Sequence, residues 1–403
     1  MKKRTFLKIA IACSNAVTMA DIAGIAPAMG EITKAYSHEN PILFNSIMTI
    51  PVISMAIFGL IAGRLCAFFS KKTVLLWGLF LFTVGGVAPI LDDNIYYVLL
   101  MRVICGVGAG FVLPTYGSLI ADFFEGDEKA QVMGLSATAA ALLMIVIALV
   151  GGFLTVINWH YIYLTFLVGV ILMVMAFFGI PKTSAERKSA AATSSLAVQR
   201  APIGLPLISL AITAFLLFVV HPVVTIKAAV FFMEEGIGDA AFTGVTGAIM
   251  IAGIVLSGML FKKIYVLLRN YTLGFGTLLF AVTYFVFFSS HSKLTSIIAM
   301  FVYGLAVTLV FPYLLVSATE IAVRKKSSQT LIVAVVTSAA YLGQFCSVFY
   351  ISLISAITGS SLSRSLFYVS GFVLSAMFLI LLAMAALKGK NAPALPEGEM
   401  PAF

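Results

Sequence analysis

The sequence predicts an all-α membrane protein in which twelve transmembrane helices form two pseudo-symmetric six-helix bundles. Of the 403 residues, 61% are hydrophobic and only 10% are charged, whereas about a quarter of the residues in a soluble domain are charged. Apolar runs of the length that a bilayer crossing needs, about 20 residues, recur along the whole chain. The composition excludes a soluble enzyme, a disordered chain and a nucleic-acid-binding protein.

Twelve apolar runs can be bounded in the sequence: 7–30, 42–62, 74–91, 95–121, 131–157, 160–180, 206–232, 240–261, 271–289, 294–320, 329–357 and 364–387. With the N-terminus in the cytoplasm, 20 of the 25 Lys and Arg residues fall in cytoplasmic connections or tails, and only Lys34, Lys293 and Arg364 fall outside. Because cytoplasmic loops of membrane proteins are enriched in Lys and Arg, we predict that both termini lie in the cytoplasm. We expect a multi-pass protein of the cytoplasmic (inner) membrane.

A polar segment between the sixth and seventh runs predicts the domain organisation. Residues 181–205 are rich in Ser, Ala and Thr and poor in aromatic residues, which is typical of a flexible linker. We predict an N-terminal bundle at 1–180, a cytoplasmic linker at 181–205 and a C-terminal bundle at 206–388. The Pro-rich residues 389–403 are predicted to be a disordered cytoplasmic tail.

The two predicted bundles share an internal repeat. The fourth and tenth runs each carry a glycine, a proline and an acid at intervals of eight residues: Gly106, Pro114 and Asp122, and Gly304, Pro312 and Glu320. A parallel repeat of this kind places a solute site near the membrane midplane, between the two repeats. Pro114 and Pro312 are predicted to mark bends that allow the helices to rock.

The chain resembles the major facilitator superfamily along nearly its whole length. After the second run that family has the motif G-x-L-a-D-r-x-G-r-k, and Gly63, Leu65, Lys71 and Lys72 match it, whereas Ala67 replaces the acid. The resemblance implies a twelve-helix carrier that works by alternating access, and the missing acid puts the usual latch between its halves in doubt.

Two further motifs refine the resemblance. Arg102, Gly106 and Gly108 match the R-x-x-x-G-x-G-A element of the fourth helix. Of the fifth-helix motif G-x3-G-P-x-x-G-G of drug:proton antiporters, only Gly151 and Gly152 are present. The resemblance to the superfamily is therefore stronger than the resemblance to its drug antiporters.

Asp21 and Arg102 are the first two of four ionisable residues predicted inside the membrane, where charges are expensive and usually functional. Asp21 shares a helical face with Ser14, Thr18 and Gly24, which predicts a cavity wall around a proton-carrying carboxylate. The guanidinium of Arg102 needs an anion, and we predict that Asp21 supplies it. Arg102 then either tunes the proton release of Asp21 or forms a purely structural ion pair with it.

His221 and Lys227 are the other two, both in the seventh run. His221 precedes Pro222, which predicts a helix kink; the histidine either takes part in proton coupling or is a neutral side chain bonded to a backbone carbonyl. Lys227 either faces the solute cavity, which favours an anionic solute, or it snorkels outward or pairs with Glu234.

The remaining predicted site residues are polar or aromatic side chains of the cavity: Asn15, Thr18, Tyr116, Phe311, Tyr313, Tyr341, Gln344 and Phe345. Each of them is also compatible with simple helix packing. The residues predicted to govern the conformational change are Gly63, Lys71, Lys72, Gly106, Gly108, Pro114 and Pro312.

The sequence contains no pattern typical of catalysis or of a metal or cofactor site, so we expect neither an enzyme nor a bound cofactor. We predict a monomeric, proton-coupled secondary transporter whose partners are protons, the lipid bilayer and a small organic solute. Efflux of amphipathic, drug-like compounds is slightly favoured. A carrier of small organic anions is the alternative, and a channel or a non-transporting receptor is a remote one.

Overall fold

The fold was described in a computed structural model that covers residues 2–124, 126–181, 204–324, 329–360 and 362–389. These residues are helical between short connections, and none of them lies in a strand. The helices are α1 (Lys2–Ser14), α2 (Val17–Ile25), α3 (Met29–Ala35), α4 (Pro41–Phe68), α5 (Lys71–Val87), α6 (Ile95–Phe123), α7 (Gly126–Ile157), α8 (Val168–Gly179), α9 (Leu205–Val220), α10 (Val223–Glu234), α11 (Ala240–Leu268), α12 (Thr272–Ser289), α13 (Lys293–Arg324), α14 (Gln329–Thr358) and α15 (Ser363–Gly389). Short 3-10 segments occur at Ala26–Ala28, Ala88–Leu91, Trp159–Leu167 and Arg269–Tyr271.

Within the described ranges, 10 helical segments are long and apolar enough to cross a membrane. One of them, Ala240–Ser289, has 50 residues and is interrupted at Arg269, whose φ of 44° is incompatible with a continuous helix. The first helical region is not one of the 10, because it is broken after Ser14 and again at the 3-10 segment Ala26–Ala28. The prediction of an all-helical membrane protein is confirmed, whereas linker residues 182–203 and tail residues 390–403 lie outside the described part of the chain.

Several of the connections begin the next helix with a side-chain cap. Asn40, Ser70, Asn94 and Asp239 each precede a helix and accept a hydrogen bond from a backbone N–H two or three residues later. Such caps satisfy N–H groups that have no partner within the helix. They explain why the helix starts fall close to the predicted ends of the apolar runs.

The sequence repeat is reflected in the packing of matched helices. In the first half, α6 packs on α4 and α5, and in the second half α13 packs on α11 and α12 in the same way. A side-chain carbon at Gly106 would clash with the carbonyl of Pro51, and one at Gly304 with the carbonyl of Met250. Pro51 and Met250 each occupy the eleventh position of their helices. The paired glycines therefore permit the same close contact twice.

The two halves of the chain contact each other near one end of the bundle, which we call the closed end. It carries the connections at residues 36–40, 158 and 235–239. There α7 packs on α11, and a Cβ atom at Gly152 would lie 2.7 Å from the Ala240 carbonyl oxygen and 3.1 Å from Cα of Gly244. At the same end α3 packs on α10, where a side chain at Gly30 would clash with Met233. The glycines therefore allow the two halves to meet almost backbone to backbone.

Candidate functional site

Asp21 of α2 and Arg102 of α6 form a buried ion pair in the first half. Nη2 of Arg102 lies 2.5 Å from Oδ1 of Asp21. Arg102 is completely buried, and Asp21 is 6% exposed. The predicted contact is confirmed, and each charge neutralises one that would be very costly to bury alone.

The rest of the guanidinium group is also held by fixed partners. Nε of Arg102 donates a hydrogen bond to the Ile47 carbonyl at 3.0 Å, and Nη1 lies 3.7 Å from Sγ of Cys105. The Cys105 thiol donates in turn to Oδ1 of Asp21 at 3.5 Å. The ring of Phe166 lies 5.2 Å from the guanidinium carbon. The pair therefore connects α2, α4, α6 and the 3-10 segment that precedes α8.

In this structure the described residues of the polar stripe around Asp21 pack against their neighbours, and the cavity wall stays a prediction. Ser14 is fully buried and donates to the Ala10 carbonyl, and a side-chain carbon at Gly24 would lie within 3.3 Å of Phe166. The side chain of Thr18 lies outside the described part. The stripe faces inward because Arg102, buried in α6, attracts the carboxylate. The Asp21 side chain keeps 8% of its surface exposed.

Pro222 breaks the second half's first helix, as predicted. Helix α9 ends at Val220 and α10 begins at Val223. The Tyr284 hydroxyl donates to the Val220 carbonyl at 2.7 Å and accepts from the Val224 N–H at 3.2 Å. It thus takes the place of the helical hydrogen bond between these two residues and satisfies backbone groups that the proline break frees.

His221 lies in an aromatic environment beside this break. Its Nδ1 is 2.9 Å from the Tyr303 hydroxyl oxygen, and the Tyr303 hydroxyl donates to the His221 carbonyl at 3.0 Å. The imidazole stacks on Phe280 at 5.1 Å and 13°, and the Phe218 ring meets it edge-on at 4.6 Å. These contacts favour a neutral, structural histidine over one that carries protons.

Substitution Tyr284→Phe should destabilise the protein by about 1–3 kcal/mol, since it leaves a buried carbonyl and a buried N–H unpaired. The loss should appear as a lower denaturation midpoint of the purified protein. Tyr368, a residue that is 43% exposed, provides the control, and Tyr368→Phe should leave the midpoint nearly unchanged. Equal midpoints for wild type and Tyr284→Phe would show that the hydroxyl bridge does not stabilise the helix break.

Lys227 of α10 is a buried cation at the boundary between the halves. The residue is only 6% exposed, and its Nζ lies 5.9 Å from the ring centre of Phe44 in α4. Within the described ranges no carboxylate lies within 4.0 Å of this nitrogen, and Glu234 instead accepts the Ser363 N–H at 2.9 Å. The burial of Lys227 contradicts the prediction that it snorkels outward. Glu234 makes no direct contact with Lys227 but is near enough to act on it through its charge, so a long-range pairing stays a prediction.

A small apolar cavity of about 40 Å³ lies between the halves. It is lined by Ala26, Pro27, Met144, Ala148, Thr225, Ala228, Thr243, Gly247, Met250, Ile251 and Met300. None of the residues predicted for the solute cavity belongs to this lining. Sequence reasoning missed these positions because small residues and methionines fill helix contacts just as often as they line sites.

The predicted cavity residues are half-buried elsewhere in the two halves. Phe311 packs against Phe218 at 5.8 Å, and Tyr313 packs against Tyr265 at 6.1 Å. The others are Asn15, Tyr116, Tyr341, Gln344 and Phe345, all of intermediate exposure. Their part in solute binding stays a prediction.

Lys71 and Lys72, two of the residues predicted to govern the conformational change, form their hydrogen bonds within the first half. Nζ of the buried Lys71 lies 2.8 and 2.7 Å from the two carboxylate oxygens of Asp122. Lys72 donates to the carbonyls of Phe177 and Ile180 at the end of α8. Asp122 is thus a partner for the basic part of the motif, in which Ala67 stands at the position of the usual acid.

The glycines and prolines predicted to govern the conformational change differ in how closely other helices pack against them. A side-chain carbon at Gly108 would clash with the backbone of Phe82 in α5, whereas one at Gly63 would meet open space. Pro114 and Pro312 both lie inside continuous helices, α6 and α13. Close packing therefore requires Gly108 but not Gly63.

A helical bundle built from two matched halves, with buried charges between its helices, is the architecture of a membrane transporter. The Major Facilitator Superfamily model matches residues 11–348, and the chain belongs to this superfamily. Its family and fold are those of transporters, which are not enzymes.

Individual relatives match only part of the chain. An uncharacterized MFS-type transporter of Mycobacterium tuberculosis is 33% identical over 132 residues, which are 32% of this chain and 23% of that protein. Multidrug resistance protein 3 of Bacillus subtilis is 26% identical over 104 residues, which are 26% of this chain and 20% of that protein. The chain thus spans less than two thirds of these relatives.

Solved structures match over nearly the full length. A peptide transporter in complex with alafosfalin superimposes with a TM-score of 0.74 at 16% identity, covering 96% of this chain and 94% of that one. A D-xylose–proton symporter gives 0.69 at 19% identity, covering 95% and 96%. At sequence identities this low, the structural similarity shows a shared fold.

Proposed function

We propose that this protein is a proton-coupled secondary transporter that moves a small organic solute across the cytoplasmic membrane by alternating access. The observation that carries the proposal is the Asp21–Arg102 pair, in which both side chains are at least nine-tenths buried within a membrane helix bundle. When the carboxylate in such a place binds a proton, the buried arginine loses its counter-charge and needs another partner. Protonation therefore changes the packing free energy of the helices that hold the pair.

The path from the pair to the closed end runs along the first helical region. Asp21 lies in α2, which continues through the 3-10 segment Ala26–Ala28 into α3. Helix α3 packs on α10 of the second half, and the 3-10 segment packs on α11. We infer that neutralising Asp21 loosens α2 against α6 and thereby shifts the contact between the halves.

The proposed topology has twelve crossings with both termini in the cytoplasm. Splitting the 50-residue segment Ala240–Ser289 at its break, and adding the broken first region Lys2–Ala35, turns the candidate spans into twelve. This topology agrees with the bias of Lys and Arg in the connections. It places the closed end on the outer face, so the structure corresponds to an inward-facing state. The carrier works as a monomer in the bilayer.

Export of amphipathic compounds, in exchange for protons, is the favoured direction and substrate class. It is supported by the similarity to Multidrug resistance protein 3 and to the multidrug transporter protein MdtP of Bacillus subtilis, which is 25% identical over 122 residues. Carriage of a small organic anion is the second candidate, and the buried cation Lys227 favours it.

Reconstituted protein should show saturable counterflow of a labelled solute, tested with ethidium as an amphipathic cation and benzoate as an organic anion. Counterflow distinguishes a carrier from a channel, because only a carrier couples the movement of labelled to unlabelled solute. Gly152→Val should lower the counterflow rate by forcing the halves apart at the closed end. Gly134→Val in the same helix, where a side chain meets open space, should not.

A linear, non-saturating flux without counterflow would contradict the carrier proposal. Equal rates for Gly152→Val and Gly134→Val would show that closure at this end is not part of the transport cycle.

A further inference from the structure

We propose that Lys227 binds the anionic group of the solute, so that this carrier takes organic monoanions with a compact apolar body. This inference rests on the proposed transport function and develops the second of its two substrate candidates, the small organic anion. It is carried by a buried cation that no described carboxylate approaches within 4.0 Å, by the position of that cation between the halves, and by the apolar cavity beside the same helix.

The charge balance of the described residues points to Lys227. Three Lys and Arg residues in these ranges are more than nine-tenths buried: Lys71, Arg102 and Lys227. Lys71 pairs with Asp122 and Arg102 with Asp21, whereas no described carboxylate lies within 4.0 Å of Lys227. Because an isolated ammonium is costly to remove from water, this position gains more than the other two from a bound anion.

The aromatic ring near Lys227 does not replace a counter-ion. Nζ lies 5.9 Å from the ring centre of Phe44, at the outer limit of a cation–π contact. Phe44 belongs to the first half and Lys227 to the second, so the contact breaks when the halves part at the closed end. The ammonium is then exposed to water and open to an anion entering or leaving at that face.

The neighbouring residues of α10 define the apolar part of the solute. Thr225 and Ala228 line the cavity of about 40 Å³, together with the methionines Met144, Met250 and Met300. This lining is apolar and adaptable, and the volume admits only a small group in the closed state. A solute with one carboxylate and a short alkyl group fits this combination, whereas a single aromatic ring needs a cavity of about 150 Å³ and therefore enters only when the halves part.

The test compares carboxylates with amides of the same shape. Purified protein at pH 7.5 should be stabilised by butyrate and benzoate more than by butyramide and benzamide, since a ligand that binds the folded state raises its melting temperature. Lys227→Gln should remove this difference and weaken benzoate binding, measured by equilibrium dialysis, by about tenfold or more. Lys227→Arg, which keeps the charge, should retain most of the binding.

Lys293 offers a matched control, because its Nζ lies 5.8 Å from the ring centre of Phe242 but the residue is exposed. Lys293→Gln should leave the preference for carboxylates unchanged. The proposal is overturned if wild type does not distinguish the carboxylates from the amides, or if Lys227→Gln keeps the distinction. Neither result affects the carrier proposal, which depends on counterflow and fails only if counterflow of both ethidium and benzoate is absent.

Discussion

Arg102→Ala is expected to destabilise the protein by about 3–5 kcal/mol, because it leaves a carboxylate buried without its counter-charge. Asp21 would retain only the weak hydrogen bond from the Cys105 thiol. The Ile47 carbonyl would also lose the hydrogen bond from the guanidinium. Denaturation midpoints of the purified protein at neutral pH measure the effect.

The double substitution Arg102→Ala with Asp21→Asn should recover much of this loss, because no unpaired charge then remains in the interior. Arg4→Ala is the control: Arg4 pairs with Glu128 at an exposed site, and exposed pairs contribute little to stability. If the two single effects add strictly in the double variant, Asp21 and Arg102 do not stabilise each other, and the proposed coupling loses its basis.

The ion pair itself could be predicted from the sequence because charges are so rare in the apolar runs. Only one acid and one arginine lie deep inside the spans of the first half, and each needs the other. The helix boundaries could also be predicted, since apolar length and residues such as Asn40 and Asp239 determine where a membrane helix starts. The matched glycines Gly106 and Gly304 predicted the repeat that the packing of α6 and α13 shows.

The direction of the Asp21 stripe could not be predicted, because helical periodicity shows which residues share a face but not which neighbour that face meets. The role of Gly152 was hidden for the same reason. It is one of two glycines that survive from an antiporter motif, and only the three-dimensional structure shows that it lies against Gly244 of the other half. Contacts between the halves depend on the conformational state of the protein, and the sequence alone does not show in which state a given pair of residues is in contact.

The surroundings of Lys227 show a different limit. Its distance along the helix from Glu234 suggested a partner or a route to the surface, since both lie on nearly the same helical face. In the structure Glu234 accepts the N–H of Ser363 at the start of α15. The start of a helix elsewhere in the chain thus binds one oxygen of this carboxylate, and the spacing of residues along α10 does not reveal such a competing partner.

Asp21→Asn is expected to abolish proton-driven solute accumulation while preserving much of the solute exchange. Asparagine keeps the size and one oxygen acceptor for Nη2 of Arg102, but it cannot bind and release a proton. If the proton is carried at this position, the driving force is uncoupled from the solute, whereas the halves can still alternate with solute bound. The variant also leaves Arg102 without a full counter-charge, so its fold must be verified by its melting temperature.

The measurement uses proteoliposomes with an imposed pH gradient and, in parallel, counterflow without a gradient, with ethidium or benzoate as the labelled solute. Glu31→Gln provides the control, because Glu31 is an acid of the same helical region that pairs with Lys34 at an accessible site. That variant should accumulate solute as wild type does. Accumulation by Asp21→Asn at the wild-type level would show that the proton binds elsewhere and that the Asp21–Arg102 pair is structural. Loss of both accumulation and counterflow in a folded Asp21→Asn protein would show that the pair is needed for the conformational change itself, because a residue needed only for coupling leaves exchange intact.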